Sequence, residues 1–309
     1  MTGGIAGLVG AIIAGPRIGR FPEVDKEAGL TTQAQVAPVN ASGSNINGYA
    51  EVLAKYEKGE WDINRVHEFV RNYACKLSER ELAPHSPQQC VMGTLILWLG
   101  WLMFNAGSSA AVVGDGGAAA KIAITNTIIS PAAAGIFTFL TKKHITGQGT
   151  TMRMDFPALT NGILAGLVAI TAGCDVVAPW AAFVIGILGS LTYSLACKAM
   201  DALKIDDPLD AFQVHGCCGI LGVVVVAFFD QQKGILYGGE EGAALLGAQL
   251  LACLCIIVWV GGTSGLFFFV ANKLNVLRLH KNDELLGGDL YYFGPIRFEG
   301  QINQYDLPE

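Results

Sequence analysis

Residues 242–272 read GAALLGAQLLACLCIIVWVGGTSGLFFFVAN, 31 residues in succession without a charged side chain. Wound as a helix at 1.5 Å per residue, this run is about 46 Å long, against ~30 Å for the hydrocarbon core of a bilayer. It reads as a membrane span with length to spare, able to tilt or to bend at Gly261, Gly262 and Gly265. Five further runs of spanning length lie upstream, approximately Cys90–Ser109, Gly117–Leu140, Phe156–Cys174, Pro179–Cys197 and Leu209–Phe229. A shorter run, Gly3–Gly15, has the same character but covers only ~20 Å and cannot span alone. No charged segment precedes it and no A-x-A site follows before Pro16-Arg17, which argues against a signal peptide.

The composition agrees. Of 309 residues 52% are hydrophobic and 15% charged, with mean hydropathy +0.44, where soluble domains carry about 25% charged residues. The 39 glycines follow no collagen period, and small residues at that density suit close helix packing in lipid. Net charge is -6, and no basic stripe alternates with aromatics, so nucleic-acid binding is excluded as a reading. Of the eight cysteines, Cys174, Cys197, Cys217, Cys218, Cys253 and Cys255 sit in apolar runs without CxxC or Cys/His metal spacing, and read as small buried hydrophobes. No metal or cofactor is expected. Hydrolytic and transfer motifs are missing: there is no G-x-S-x-G, no P-loop, and no paired carboxylates fall inside a span. The chain does not read as an enzyme.

Following the spans from side to side, one face collects Arg17, Arg20, Lys142, Lys143, Arg153, Lys198, Lys204, Lys273, Arg278 and Lys281, and the other Lys121 and Lys233. The positive-inside rule makes the first face cytoplasmic, and with it the insert and the tail. Four regions follow: the end of a truncated helix (1–20), a cytoplasmic insert (21–89), six transmembrane helices (90–272) and a cytoplasmic tail (273–309). In the insert, Glu51–Arg80 has the apolar spacing of an amphipathic helix, and Asn40-Ala41-Ser42 is a sequon that glycosylation machinery would not meet on that side.

Two groups of residues could carry chemistry. Leu97, Trp101, Phe104 and Ser108 are spaced 4, 3 and 4 apart and form one helix stripe. Such a stripe commonly packs a core, but Ser108 beside Phe104 offers a hydroxyl acceptor and a ring face that could together hold a small cation. The second group begins at Asp207-Pro208-Leu209-Asp210, a helix start with Asp207 as N-cap, Pro208 at the first helical position and Asp210 in the first turn. Two turns on, His215 stands in an apolar helix, where an ionisable group marks a functional site by default. A neutral imidazole presents one donor and one acceptor, which suits a pore for a small polar molecule; simple core satisfaction is the competing reading. His67, His85, His144 and His280 fall in polar loops.

These residues resemble the ammonium transporter (Amt/MEP/Rh) family, Amt-type. The likeness is carried by Gly3-Gly4-Ile5-Ala6-Gly7 with Gly15-Pro16-Arg17-Ile18-Gly19-Arg20-Phe21, and by Gly100-Trp101 with Phe104-Asn105-Ala106-Gly107-Ser108. Asn161-Gly162, Gly166–Cys174 and Pro179-Trp180-Ala181-Ala182 continue it, as do Asp206-Asp207-Pro208, Val214-His215-Gly216 and Gly219. The resemblance implies an all-α integral membrane protein with the ammonium-transporter fold: here the second of two inverted repeats plus a long final helix. A homotrimer in the plasma membrane, one pore per subunit, is implied too. Carried over by residue, Phe104 is a gate phenylalanine, Ser108 the hydroxyl of the external ammonium site, Trp101 and Leu97 the pore wall, His215 the second of twin pore histidines, and Ala211 a pore-lining apolar residue. The family's first histidine would stand immediately before Met1, so the chain is expected to be the C-terminal portion of a transporter and not competent alone. The expected partners are ammonium or ammonia, methylammonium as analogue, and the lipid bilayer. An ammonium sensor signalling through insert and tail, and an inactive remnant, are the alternatives.

Overall fold

The computed structural model describes residues 1–18, 20–21, 55, 58–60, 86–109, 113–146, 156–238, 241–279 and 284. Seven α-helices occur among them: α1 (Thr2–Ala14), α2 (Pro87–Gly107), α3 (Gly114–Thr146), α4 (Phe156–Thr171), α5 (Pro179–Ala202), α6 (Cys218–Phe229) and α7 (Gly242–Lys273). A π-helical turn, Phe212–Cys217, leads directly into α6, and a short 3-10 turn, Ile235–Tyr237, precedes α7. The described residues hold no β-strand, only an isolated bridge between Val177 and Asp230. Among the described residues, five helical stretches are long and apolar enough to cross a membrane: Pro87–Gly107, Gly117–Thr146, Pro179–Ala202, Phe212–Phe229 and Gly242–Lys273.

The expected span Phe156–Cys174 is corrected by the structure. Its helix stops at Thr171 after 16 residues, about 24 Å, short of a bilayer core. It stops because α3 captures the chain beyond it: the buried Asn126 donates through Nδ2 to the carbonyls of Cys174 (2.9 Å) and Val177 (2.8 Å), which a continuing helix would need for itself. At the other extreme α3 and α5 run past their expected limits, to Thr146 and Ala202. His144 therefore lies in the last turn of α3, not in a loop. Of the cysteines, Cys174, Cys197, Cys218 and Cys253 are buried as expected, Cys217 is half-buried and Cys255 exposed on α7.

The buried centre is α3, α4 and α5. Gly166 of α4 lets two backbones meet: a Cβ there would lie 2.6 Å from the Ala134 Cβ, 2.7 Å from the Pro131 Cα and 2.8 Å from the Ser130 carbonyl oxygen. Ser130 uses that closeness to donate from its hydroxyl to the Gly166 carbonyl at 2.9 Å. Thr138 donates to Ser190 at 2.6 Å across the α3–α5 contact. Pro131 has no N–H for the carbonyl four residues before it, at Thr127, and Trp98 of α2 takes the vacancy, donating Nε1–H to that carbonyl at 3.0 Å. Asn105 adds a bond to the Thr127 hydroxyl at 2.9 Å. The break in α3 thus becomes the seat of α2.

Two compact units divide the chain, Met1–Gly15 with Pro84–Leu274, and Pro16–Ala83 with Asn275–Glu309. Within the second, Arg278 meets Glu284 through two hydrogen bonds, of 2.7 Å and 2.6 Å, and also donates to the Pro16 carbonyl at 2.8 Å. Glu284 in turn accepts from the Ile18 amide at 2.9 Å, so residues remote in sequence are tied together. Of the expected amphipathic helix at Glu51–Arg80 only Lys55 and residues 58–60 are described: Lys55 is helical, but the chain turns at 58–60, where Gly59 has φ +71° and the Glu60 amide donates to the Lys55 carbonyl at 2.9 Å, so one uninterrupted helix is not formed there. The remainder of that segment, the sequon at Asn40, and His67, His85 and His280 lie outside the described residues.

Candidate functional site

The segment after α5 sets the geometry. The chain turns through 208–209, closed by Asp210 N–H donating to the Asp207 carbonyl at 3.1 Å. Asp210 has φ +53°, the left-handed region that Asp tolerates better than most side chains. Pro208 therefore lies in this turn and not at the first helical position. Asp207 still satisfies a helix N–H, but that of Phe212, five residues on, which donates to Oδ2 at 2.7 Å. The helix start is displaced because the Asp210 carboxylate is engaged elsewhere: it accepts from the Tyr193 hydroxyl (2.6 Å), Asn161 Nδ2 (2.9 Å) and Gln213 Nε2 (3.0 Å).

His215 is half-buried in the π-turn, a widened helical form that recurs at functional sites. Two glycines shape its surroundings. A Cβ on Gly216 would strike the Phe212 ring, so that ring covers the turn. A Cβ on Gly4 would collide with the backbone of Gly216 and the carbonyl carbon of His215, so α1 passes the turn in direct backbone contact. Farther along, a Cβ on Gly219 would stand 2.8 Å from the Met1 nitrogen. The first residue of the chain accordingly lies beside the helical turn that follows His215. Ala211 sits against α1, its Cβ 3.4 Å from where a Cβ on Gly7 would be.

The α2 stripe divides. Trp101 is half-buried, donates Nε1–H to the Thr171 hydroxyl at 2.7 Å, and packs on a buried cluster that includes Val168, Tyr193, Val214 and Cys218. It thereby shares a core with Val214, which directly precedes His215, and with Cys218 at the start of α6. Phe104 meets Trp101 edge to face, ring centroids 6.4 Å apart, but is 61% exposed, and Leu97 is 51% exposed. Ser108 is exposed at the end of α2 and donates its hydroxyl proton to the Phe104 carbonyl at 2.8 Å, keeping its oxygen lone pairs as acceptors. Among the described residues no group of three or more His, Cys, Asp or Glu side chains could hold a metal ion.

Sequence reading missed the ring of partners around Asp210. Lys142 entered it only as one flanking cation, and Tyr193 as part of an apolar run; its proximity to Asp210, 17 residues away, is a tertiary fact. The π-turn left no signal either, since Phe212–Cys217 has the composition of ordinary apolar helix.

A family model described as Ammonium Transporter Family matches residues 71–297. Putative ammonium transporter 1 member 5 of Arabidopsis thaliana is 34% identical over 327 aligned positions, which take in 99% of this chain and 54% of that protein. Ammonium transporter 1 member 1 of Oryza sativa subsp. japonica is 33% identical, over 95% of this chain and 51% of that protein. The chain spans about half the length of the curated relatives it matches. Among solved structures, one titled Sensor Amt Protein matches 92% of this chain and 55% of its own at a TM-score of 0.63 and 28% identity. Candida albicans Mep2 matches 65% of this chain and 45% of its own at a TM-score of 0.56 and 26% identity.

Proposed function

The chain belongs to the ammonium transporter family, and from that membership we propose that this integral membrane protein serves the passage of ammonium across a membrane. The observation that carries the reading is His215: a half-buried imidazole in a π-turn of an apolar span, with α1 packed against its backbone. At the outer end Ser108, with lone pairs to accept N–H donors, and the rings of Phe104 and Trp101 recruit the cation, which rings attract through their negative faces. Carrying that cation dehydrated through the bilayer centre costs several kcal/mol at least, whereas ammonia is neutral. Ammonium therefore gives up its proton, and ammonia and proton pass along an apolar path in which His215 offers one donor and one acceptor. Leu97 and Ala211 complete the wall, the insert and tail lie on the cytoplasmic side, and three copies assemble with one pore each.

The test is uptake of labelled methylammonium in cells without other ammonium transporters. It is run with the chain alone and with the first half of an ammonium transporter supplied in cis. Saturable uptake in either arm, reduced at least tenfold by His215→Ala, is the expected result. Flux in neither arm, or flux indifferent to His215→Ala, overturns the reading; a growth response to ammonium without flux favours a sensor.

A further inference from the structure

Asp210 stands five residues before His215, and its carboxylate joins four elements. Tyr193 of α5 and Asn161 of α4 donate to Oδ2 at 2.6 Å and 2.9 Å, and Gln213 of the π-turn donates to Oδ1 at 3.0 Å. Lys142 of α3 places its Nζ 4.0 Å from Oδ2, donates to the Tyr193 oxygen at 2.7 Å and lies 4.7 Å over the Tyr193 ring. Tyr193 is fully buried, so this arrangement is built into the protein and not a surface encounter. Every group facing Asp210 is a donor, and a carboxylate only accepts. An amide of the same shape would turn an NH2 toward one of those donors.

Gln213 records how firmly the carboxylate acts. Its NH2 is held by Asp210, and its own Oε1, in a residue only 3% exposed, is left without a hydrogen-bond partner. The backbone continues the same tie, because the Val214 amide donates to the Asp210 carbonyl at 2.9 Å, from a residue held at φ +53°. Asp210 thus grips the π-turn at Gln213 and Val214, the two residues before His215.

We propose that Asp210, itself fixed by Tyr193, Asn161 and Lys142, is the positioning residue of the histidine site, determining where the π-turn begins and hence the direction in which His215 points. This rests on the transport reading of His215. A π-turn accommodates one residue more than an α-turn, and one residue is a rotation of about 100° at 3.6 residues per turn. Released from Asp210, the turn relaxes toward α-helix and His215 swings by about that angle. The recruiting residues Ser108 and Phe104 make none of these bonds, so loss of the grip slows passage without weakening capture.

Two readouts test it on the full chain. In the methylammonium assay, Asp210→Asn lowers the maximal rate per folded molecule at least tenfold and leaves half-saturation within twofold, and Asp210→Glu recovers part of the rate. In purified protein with His67, His85, His144 and His280 replaced by Asn, the rate at which diethylpyrocarbonate modifies His215 changes at least threefold in Asp210→Asn. Tyr193→Phe, which deletes one bond to the carboxylate, shifts both readouts in the same direction by a smaller factor, and decides the matter if Asp210→Asn does not fold. Rates and reactivity within 1.5-fold of the parent in these variants overturn the proposal, as does a lost rate with His215 reactivity unchanged. If the parent carries no flux, the transport reading fails by itself and His215 reactivity alone decides whether Asp210 positions it.

Discussion

Helices α4 and α7 are both apolar, yet the protein treats them in opposite ways. Ten of the 16 residues of α4 are buried, among them Gly162, Ala165, Gly166 and Ala169, whereas α7, twice as long, buries only Gly242, Cys253 and Val260. The greasiest side chains are the outer ones: Trp259 is 73% exposed, and Val258, Leu266 and Phe267 are each 67% exposed. In water this order would be inverted. In lipid a leucine gains nothing by leaving hydrocarbon for protein, so helices gather where small residues admit backbones and where hydroxyls and amides bond across. Hydropathy therefore finds helices in the membrane, and glycine, alanine, serine and threonine decide which are central.

The contrast between α4 and α7 rests most heavily on their glycines. Gly166→Val places a side chain into Ala134, Pro131 and the Ser130 carbonyl, and is expected to cost upwards of about 3 kcal/mol and abolish the monodisperse peak in detergent size-exclusion. Gly261→Val on α7 meets nothing within 4 Å and should leave thermal unfolding within about 0.5 kcal/mol of the parent. If the two variants behaved alike, the distinction between central and outer helices would fall. Next in size is Trp98→Phe, which strands the Thr127 carbonyl opened by Pro131; a loss of about 1–2 kcal/mol in denaturant unfolding is expected, with no loss if the carbonyl finds another donor. Smallest is Thr138→Val, which deletes the bond to Ser190 inside the same bundle. About 0.6 kcal/mol is the expected cost, and an effect matching Gly166→Val would mean that polar bonds and not close packing hold the centre.

Much of this was legible in the residues. Uncharged runs located the long helices, and His215 stood out as an imidazole in an apolar segment. The helix ends were less legible where a remote side chain decided them. Nothing between Phe156 and Cys174 announces that the helix must stop at Thr171, because the group that stops it, Asn126, belongs to α3. Asp207-Pro208 looks like a helix start, and would be one if Tyr193 and Asn161 did not claim the carboxylate of Asp210. The α2 stripe was legible as a stripe but not in its division, with Trp101 drawn into the cluster of Val214 and Cys218 while Leu97 and Phe104 stay exposed.

The residues read in order are enough to establish a helical membrane protein of the ammonium transporter family, because span length and the spacing of Gly, Trp, Phe and His residues are local properties written along the chain. Which helices are central, where α4 ends, that Trp98 fills the gap left by Pro131, and that a π-turn carries His215 emerge only in the folded chain. Each of these depends on a donor meeting an acceptor, or a glycine meeting a backbone, from another helix, and linear order does not encode such meetings one residue at a time.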